Sequence, residues 1–330
     1  MKHVITFLLL ILSCPQITSA EGWVRKADVP TPRNGTSLFA PTVNGKVYII
    51  GGALGGLNGV ATVEEYDPAT NTWIQKADMP TARLYLATVA VNGKIYAIGG
   101  ITHWRNIVAT VEEYDPVADT WTKKKAMPTA RYLLSACVLD GKIYAVGGST
   151  GGVSSILQVY DPITDSWEGK ANMPTPRYGV GCTAANGKVY VIGGSQNDNM
   201  AFSTVEEYDP VTDTWTKKNS MPKARWAPAV TIDDKIYAVS GGTNLNAALP
   251  NLEVYDPLTD NWEKKADITI ARIDPSVGVV DGRIYVFAGM KAFPTPIADV
   301  EEYTPDGCEP RPVSPRGKLA IITWATVKQR

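Results

Sequence analysis

The sequence predicts an all-β fold of six four-stranded units, and three observations predict it. First, the segment from Asn92 to Gly100, NGKIYAIGG, recurs as NGKVYIIGG from Asn44, DGKIYAVGG from Asp140 and NGKVYVIGG from Asn186, with looser copies DDKIYAVSG from Asp233 and DGRIYVFAG from Asp281. Second, other residues keep phase with it. Arginine recurs at Arg33, Arg83, Arg131, Arg177, Arg225 and Arg272, and tryptophan at Trp23, Trp73, Trp121, Trp167, Trp215 and Trp262. Tyr66, Tyr114, Tyr160, Tyr208 and Tyr255 precede Asp-Pro, and Tyr303 precedes Thr-Pro. Several features in one phase over most of a chain mark a repeat architecture. Third, the chain opens at Trp23 with a fourth strand that lacks its first three, and closes with a unit that lacks its tryptophan strand.

Each element follows from local chemistry. The first strand starts just after the arginine, as in the run from Tyr85 to Val91. An Asn-Gly or Asp-Gly pair then turns the chain, since both residues tolerate positive φ. The second strand, from Lys94 to Ile98, is apolar on both faces and so reads as buried on both. A diglycine ends it where side chains do not fit or φ is unusual. A variable loop leads to the third strand, from Thr110 to Tyr114, and Asp115-Pro116 turns the chain into a fourth that carries Trp121 and a lysine-rich, solvated edge. Ser240 and Ala288 stand where the other units have the first glycine, which argues against an absolute need for positive φ there.

This unit closely resembles the kelch repeat in its diglycine, the tyrosine some fourteen positions on and the tryptophan seven beyond that. The resemblance covers roughly residues 22–305 and implies the blades of a β-propeller. The two end fragments complete one sheet, so the expected fold is a six-bladed kelch-type β-propeller, its last blade closed by the N-terminal strand. An open-ended solenoid is the alternative, but it leaves Trp23 without a partner strand.

Three segments are expected: a signal peptide at 1–20, the propeller at 21–305, and a Pro-rich linker and short C-terminal tail at 306–330. Lys2, the apolar run from Val4 to Leu12 and the small residues Thr18-Ser19-Ala20 form a secretory pattern with cleavage after Ala20. Secreted or periplasmic localisation follows. A weaker reading lipidates Cys14, although Leu12 and Pro15 fit a lipoprotein box poorly. The apolar run is too short to span a bilayer comfortably.

Cleavage leaves Cys137, Cys182 and Cys308. Cys137 lies six residues after Arg131 and Cys182 five after Arg177, offsets that point to opposite faces of equivalent strands. No disulfide between them is expected, and both read as small buried hydrophobes.

The net charge of −1 and the lack of a basic stripe argue against nucleic acid as a partner. Of two histidines only His103 survives cleavage, so multi-histidine zinc or copper sites are excluded. That also argues against the copper radical oxidases found among secreted kelch-type propellers. No phosphate loop is present. Gln196-Asn197-Asp198-Asn199 offers oxygen ligands for calcium but reads better as a solvated turn. No cofactor and no metal are expected.

The resemblance places the recurrent arginines where a blade's fourth strand hands over to the next blade's innermost strand. In six-bladed kelch adaptors, arginines there grip carboxylates of a partner peptide, which suits the guanidinium fork. Arg33, Arg83, Arg131, Arg177, Arg225 and Arg272 are therefore candidate binding residues at one channel mouth. The competing reading, favoured for most of them, is that they brace blade against blade. Tyr85, Tyr132, Tyr178 and Trp226 follow four of the arginines and join the candidate set, as do His103 and Trp104, with Arg105, Asn197, Asp198, Met200 and Phe202 in the loops after the diglycines. The phased tryptophans and tyrosines read as core. One glutamate of each pair starting at Glu64, Glu112, Glu206 and Glu301 is expected to be exposed and the other bonded.

The leading expectation is a secreted, monomeric propeller that binds an extracellular protein, peptide or acidic carbohydrate at one channel mouth. The alternative is a sugar mutarotase or epimerase acting on an acidic sugar such as sialic acid, as resemblance to secreted six-bladed kelch proteins allows, with Asp274 the nearest candidate acid. A third reading is a structural envelope or adhesion module attached through the tail.

Overall fold

The computed structural model describes residues 22–103, 106–197 and 200–305. Six four-stranded antiparallel sheets are present among them. The second blade shows the plan, with Ala87–Val91 innermost, then Lys94–Ile98, Val111–Asp115 and the outermost strand Thr120–Lys124. In the last blade the outermost strand is Gly22–Lys26, which pairs antiparallel with Val300–Thr304 and sets Trp23 opposite Tyr303. The propeller is thus closed by its N-terminal strand, as the end fragments predict. The innermost layer closes too, because Ala40 N–H donates to Val277 O at 2.9 Å and Val277 N–H to Leu38 O at 3.1 Å. The loops after the last three diglycines form small hairpins that the repeat does not predict, for example Gly242–Asn244 against Ala247–Ala248.

Apolar clusters fill the gaps between blades. One of them joins Val89 and Ile98 of the second blade to Ile143 and Tyr160 of the third. At the outer edge each junction is clasped by the phased aromatics. Trp73 Nε1 donates to Ala27 O at 3.0 Å, Trp121 to Ala77 O at 3.0 Å, and Trp23 to Ala266 O at 2.8 Å, in each case in the preceding blade. The same residue is gripped at its other end, since Ala77 N–H donates to Asp119 Oδ1 at 2.9 Å while the buried Tyr114 hydroxyl donates to that oxygen at 2.5 Å. The tryptophans are therefore partly exposed interblade clasps, each ring about 5 Å from its tyrosine.

Two expectations are corrected here. Cys137 and Cys182 form a disulfide between the innermost strands Ser135–Leu139 and Gly181–Ala185, with Cα atoms 5.5 Å apart. Their side chains do point to opposite faces of their own sheets, but neighbouring blades stack face to face. One blade's leading face meets the next blade's trailing face, so opposite parity brings the side chains together. Thr183 and Thr231 follow the same geometry one junction on, with hydroxyl oxygens 2.8 Å apart. Second, Ser240 and Ala288 both adopt φ of 52°, so positive φ is general at the first diglycine position. The next blade's arginine carbonyl also crowds this position: a Cβ on Gly99 would lie 2.5 Å from Arg131 O. Ser240 fits because its hydroxyl lies within hydrogen-bond distance of Arg272 O, at 3.1 Å.

Trp23→Ala should lower the unfolding free energy by about 3 kcal/mol, read from the urea midpoint, because it removes a clasp and its ring packing. An unchanged midpoint would show that the final blade does not depend on the N-terminal strand. A non-reducing peptide map should recover the segments around Cys137 and Cys182 as one cross-linked species.

Candidate functional site

The arginines come first because the repeat singles them out. All six are 0 % exposed. Each main chain docks on the preceding blade while the side chain enters its own. Gly52 N–H donates to Arg83 O at 2.9 Å. The Arg83 guanidinium donates to Gly99 O at 2.8 Å, Thr110 O at 2.9 Å and Glu112 Oε2 at 2.7 Å. Glu112 also accepts from Thr81 Oγ1 at 2.7 Å. Arg177 pairs with Glu206 at 2.9 Å, Arg225 with Glu253 at 2.6 Å, and Arg272 with Glu301. Arg33 Nη1 lies 2.8 Å from Glu64 Oε2, an ion pair whose angle falls short of a hydrogen bond. Burial pulls the Arg83 pKa down and Glu112 pushes it back up. Arg131 meets neutral Gln158 at 2.9 Å instead of a carboxylate, and burial pulls its pKa down to about 10.

The bracing reading favoured for most of the six therefore holds, and their candidacy as binding residues at the channel mouth is corrected. Carbonyls and carboxylates have claimed their guanidiniums, and they rivet blade to blade. The paired glutamates depart from expectation in the same way, because the second of a pair is bonded as well. Glu65 accepts from the Tyr48 hydroxyl at 2.7 Å.

The residues that follow the arginines fare differently. At one mouth, Tyr85, Tyr132, Tyr178 and Trp226 line a single cavity of about 600 Å³. They form two facing pairs, Tyr85 with Tyr132 at 6.4 Å between ring centroids and Tyr178 with Trp226 at 6.3 Å. Leu57, Ile107, Leu245 and Phe293 reach the same space from the loops after the diglycines. Backbone geometry presents the wall. Tyr85, Leu133 and Asp274, each two residues past an arginine, hold φ near +50°, a conformation bulky residues seldom adopt. Bonds from Tyr85 N–H to Gly35 O at 2.6 Å, Leu133 N–H to Tyr85 O at 2.8 Å and Gly179 N–H to Leu133 O at 2.9 Å tie this ring across four blades.

Asp274 lies beyond that chain of bonds and breaks the sixfold pattern. It lines the same cavity and is 8 % exposed, and its carboxylate has no hydrogen bond or ion pair among the described residues. Burial alone pushes its pKa up, from 3.8 to about 6. Trp226 is 5 % exposed, and its indole N–H likewise has no partner among the described residues. The cavity thus offers aromatic side chains and one unpartnered acceptor.

The remaining candidates that the structure describes are not among its lining residues. His103 is exposed and is not among the residues lining the cavity. Asn197 and Met200 are exposed at a hairpin, and Trp104, Arg105 and Asp198 lie outside the described residues. Among the described residues no cluster of His, Cys, Asp and Glu is arranged to hold a metal ion, and no helix is long and apolar enough to cross a membrane. The channel is a separate cavity of about 230 Å³, its wall including Val89, Cys137, Cys182 and Thr231.

The KLHDC2/KLHL20/DRC7 Kelch-repeats domain model matches residues 16–173, and the Kelch motif model matches residues 176–222 and 227–268. The chain belongs to the kelch-repeat family. No curated protein matches the chain by sequence. Among solved structures this kelch propeller is similar to that of YjhT, at 17 % identity and a TM-score of 0.70 over 84 % of this chain and 97 % of that one. The likeness at that identity concerns the fold alone.

Two outcomes follow. The Asp274 pKa is higher folded than unfolded, so the stability it confers is fully present below about pH 4 and is lost as pH rises through about 6. Asp274→Asn stays neutral and tolerates the same φ. It should exceed the parent in stability above pH 7 by roughly 2–3 kcal/mol and match it near pH 4, as read from melting curves against pH. Gln158→Glu should supply the carboxylate Arg131 lacks and raise the melting temperature by about 2–4 °C. A fall would show that Gln158 suits its site better than an ion pair.

Proposed function

We propose that this kelch propeller is a secreted, monomeric binding module whose ligand or protein partner is held at the mouth built by Tyr85, Tyr132, Tyr178, Trp226 and Asp274. The single observation that carries the reading is the aromatic cavity with a buried, unpartnered carboxylate in its wall. Stability favours filling such a position with a neutral or paired side chain. A carboxylate kept there at a thermodynamic cost is accounted for by a ligand that answers it. The kelch fold itself suggests a protein-binding module. The Cys137–Cys182 disulfide supports secretion, because such bonds persist in oxidising compartments. The proposed signal peptide at 1–20 lies outside the described residues.

The mutarotase reading keeps one supporting observation. A carboxyl group titrating near 6 inside a cavity is suited to giving and taking a proton during ring opening. Against it, none of the described residues lining the cavity is an arginine or lysine.

A calorimetric screen of peptides and glycans against the mature chain tests the reading. Tyr132→Ala and Trp226→Ala should each weaken a hit by about tenfold or more, as expected of aromatic anchors in a pocket. Val117→Asp, on an exposed turn of the opposite face, should leave it unchanged. Hits indifferent to the mouth variants would refute the assignment. Faster anomer exchange by NMR, lost in Asp274→Asn, would favour the enzyme.

A further inference from the structure

We infer that the mouth cavity recognises an organic ammonium group, carried by a lysine side chain of a peptide partner or by a free amine. The inference rests on the mouth being the binding site and names the chemistry it accepts.

Charge decides the class. An ionised carboxylate in an apolar surround needs a counter-charge or several donors. Asp274 has neither among the described residues, and the described residues lining its cavity include no Lys, Arg or His. The rest of the wall is aromatic and aliphatic. Tyr85, Tyr132, Tyr178 and Trp226 contribute negative ring faces, and Phe293 stands among the lining residues as well. Aromatic rings and one carboxylate around a cavity form an arrangement that attracts alkylammonium ions, since a ring face adds to the carboxylate's field. An anionic ligand would meet a like charge. A neutral sugar would leave that charge uncompensated while finding few polar groups to bond its hydroxyls.

A peptide lays more surface against the aromatic wall than a simple amine does, so a lysine-bearing chain should bind more tightly. The cavity volume of about 600 Å³ accommodates a side chain and part of its backbone.

The test uses matched charged and uncharged probes on the mature chain, followed by calorimetry and ligand-observed NMR. Choline and butylammonium represent the free amines, and the dimethylbutanol isostere of choline supplies the same shape without charge. A short lysine-containing peptide and its side-chain-acetylated form represent the peptide source. The ammonium probes should bind at least about tenfold more tightly than their neutral counterparts. Asp274→Asn, which should fold at least as well as the parent, should abolish that difference while leaving the isostere's weak binding unchanged. If the lysine peptide binds no better than choline, the free amine is the better source. Equal binding of charged and neutral probes, indifference to Asp274→Asn, or no binding of any ammonium probe would overturn the inference. Another ligand whose affinity depends on Trp226 would, in that event, leave the mouth standing as a site. Absence of any Trp226-dependent ligand would remove the site itself.

Discussion

Arg83 carries a charge to a place that water does not reach, and its counterparts do the same at the other five junctions. A buried guanidinium needs a counter-charge or several acceptors, or it unfolds what surrounds it. That requirement accounts for much of what the repeat spells out. The glutamate of the third strand supplies the counter-charge, and the threonine two residues before the arginine bonds that glutamate. The methionine of the Met-Pro pair packs its sulfur against the guanidinium, 3.2 Å away at Met79. The first glycine of the diglycine makes room for the arginine's own carbonyl. The outer clasp of tryptophan, tyrosine and aspartate secures the same junction near the rim, so each blade is held to its neighbour at two radii.

Such a scaffold frees the mouth from structural duty. Arginines saturated inside the blades hold their successors in the chain at fixed positions around the opening. Five of the residues two past an arginine hold positive φ, yet only Tyr85, Leu133 and Asp274 bring side chains, since Gly35 and Gly179 have none. The mouth is therefore asymmetric although the frame is not. Its chemistry lies in residues that differ from blade to blade, with aromatic rings from five blades and one unpartnered carboxylate on the last blade.

Most of the fold was legible because phase is additive: a glycine pair, a tyrosine and a tryptophan in step leave little choice of register. The strand from Lys94 to Ile98 was readable residue for residue, and the closure at Trp23 followed from two incomplete ends. The disulfide was misread because facing direction within one sheet was treated as separation in space, whereas stacked blades join opposite faces. The φ at Ser240 was not legible, because a small residue there says nothing of backbone conformation, and both Ser240 and Ala288 hold 52°. At the site, the aromatics were legible as neighbours of the arginines. Their convergence with Asp274 was not, since nothing local to Arg272-Ile273-Asp274 shows whether a carboxyl group meets a partner.

The central claim is that the repeated arginine is a rivet between blades and that binding resides elsewhere. A double-mutant cycle on Arg83 and Glu112, using Arg83→Met, Glu112→Leu and the pair, measures it most directly by chemical unfolding. The account predicts large single losses that fail to add, with a coupling of about 2 kcal/mol or more, because either change alone strands a buried charge. Additive losses, or single variants as stable as the parent, would contradict it.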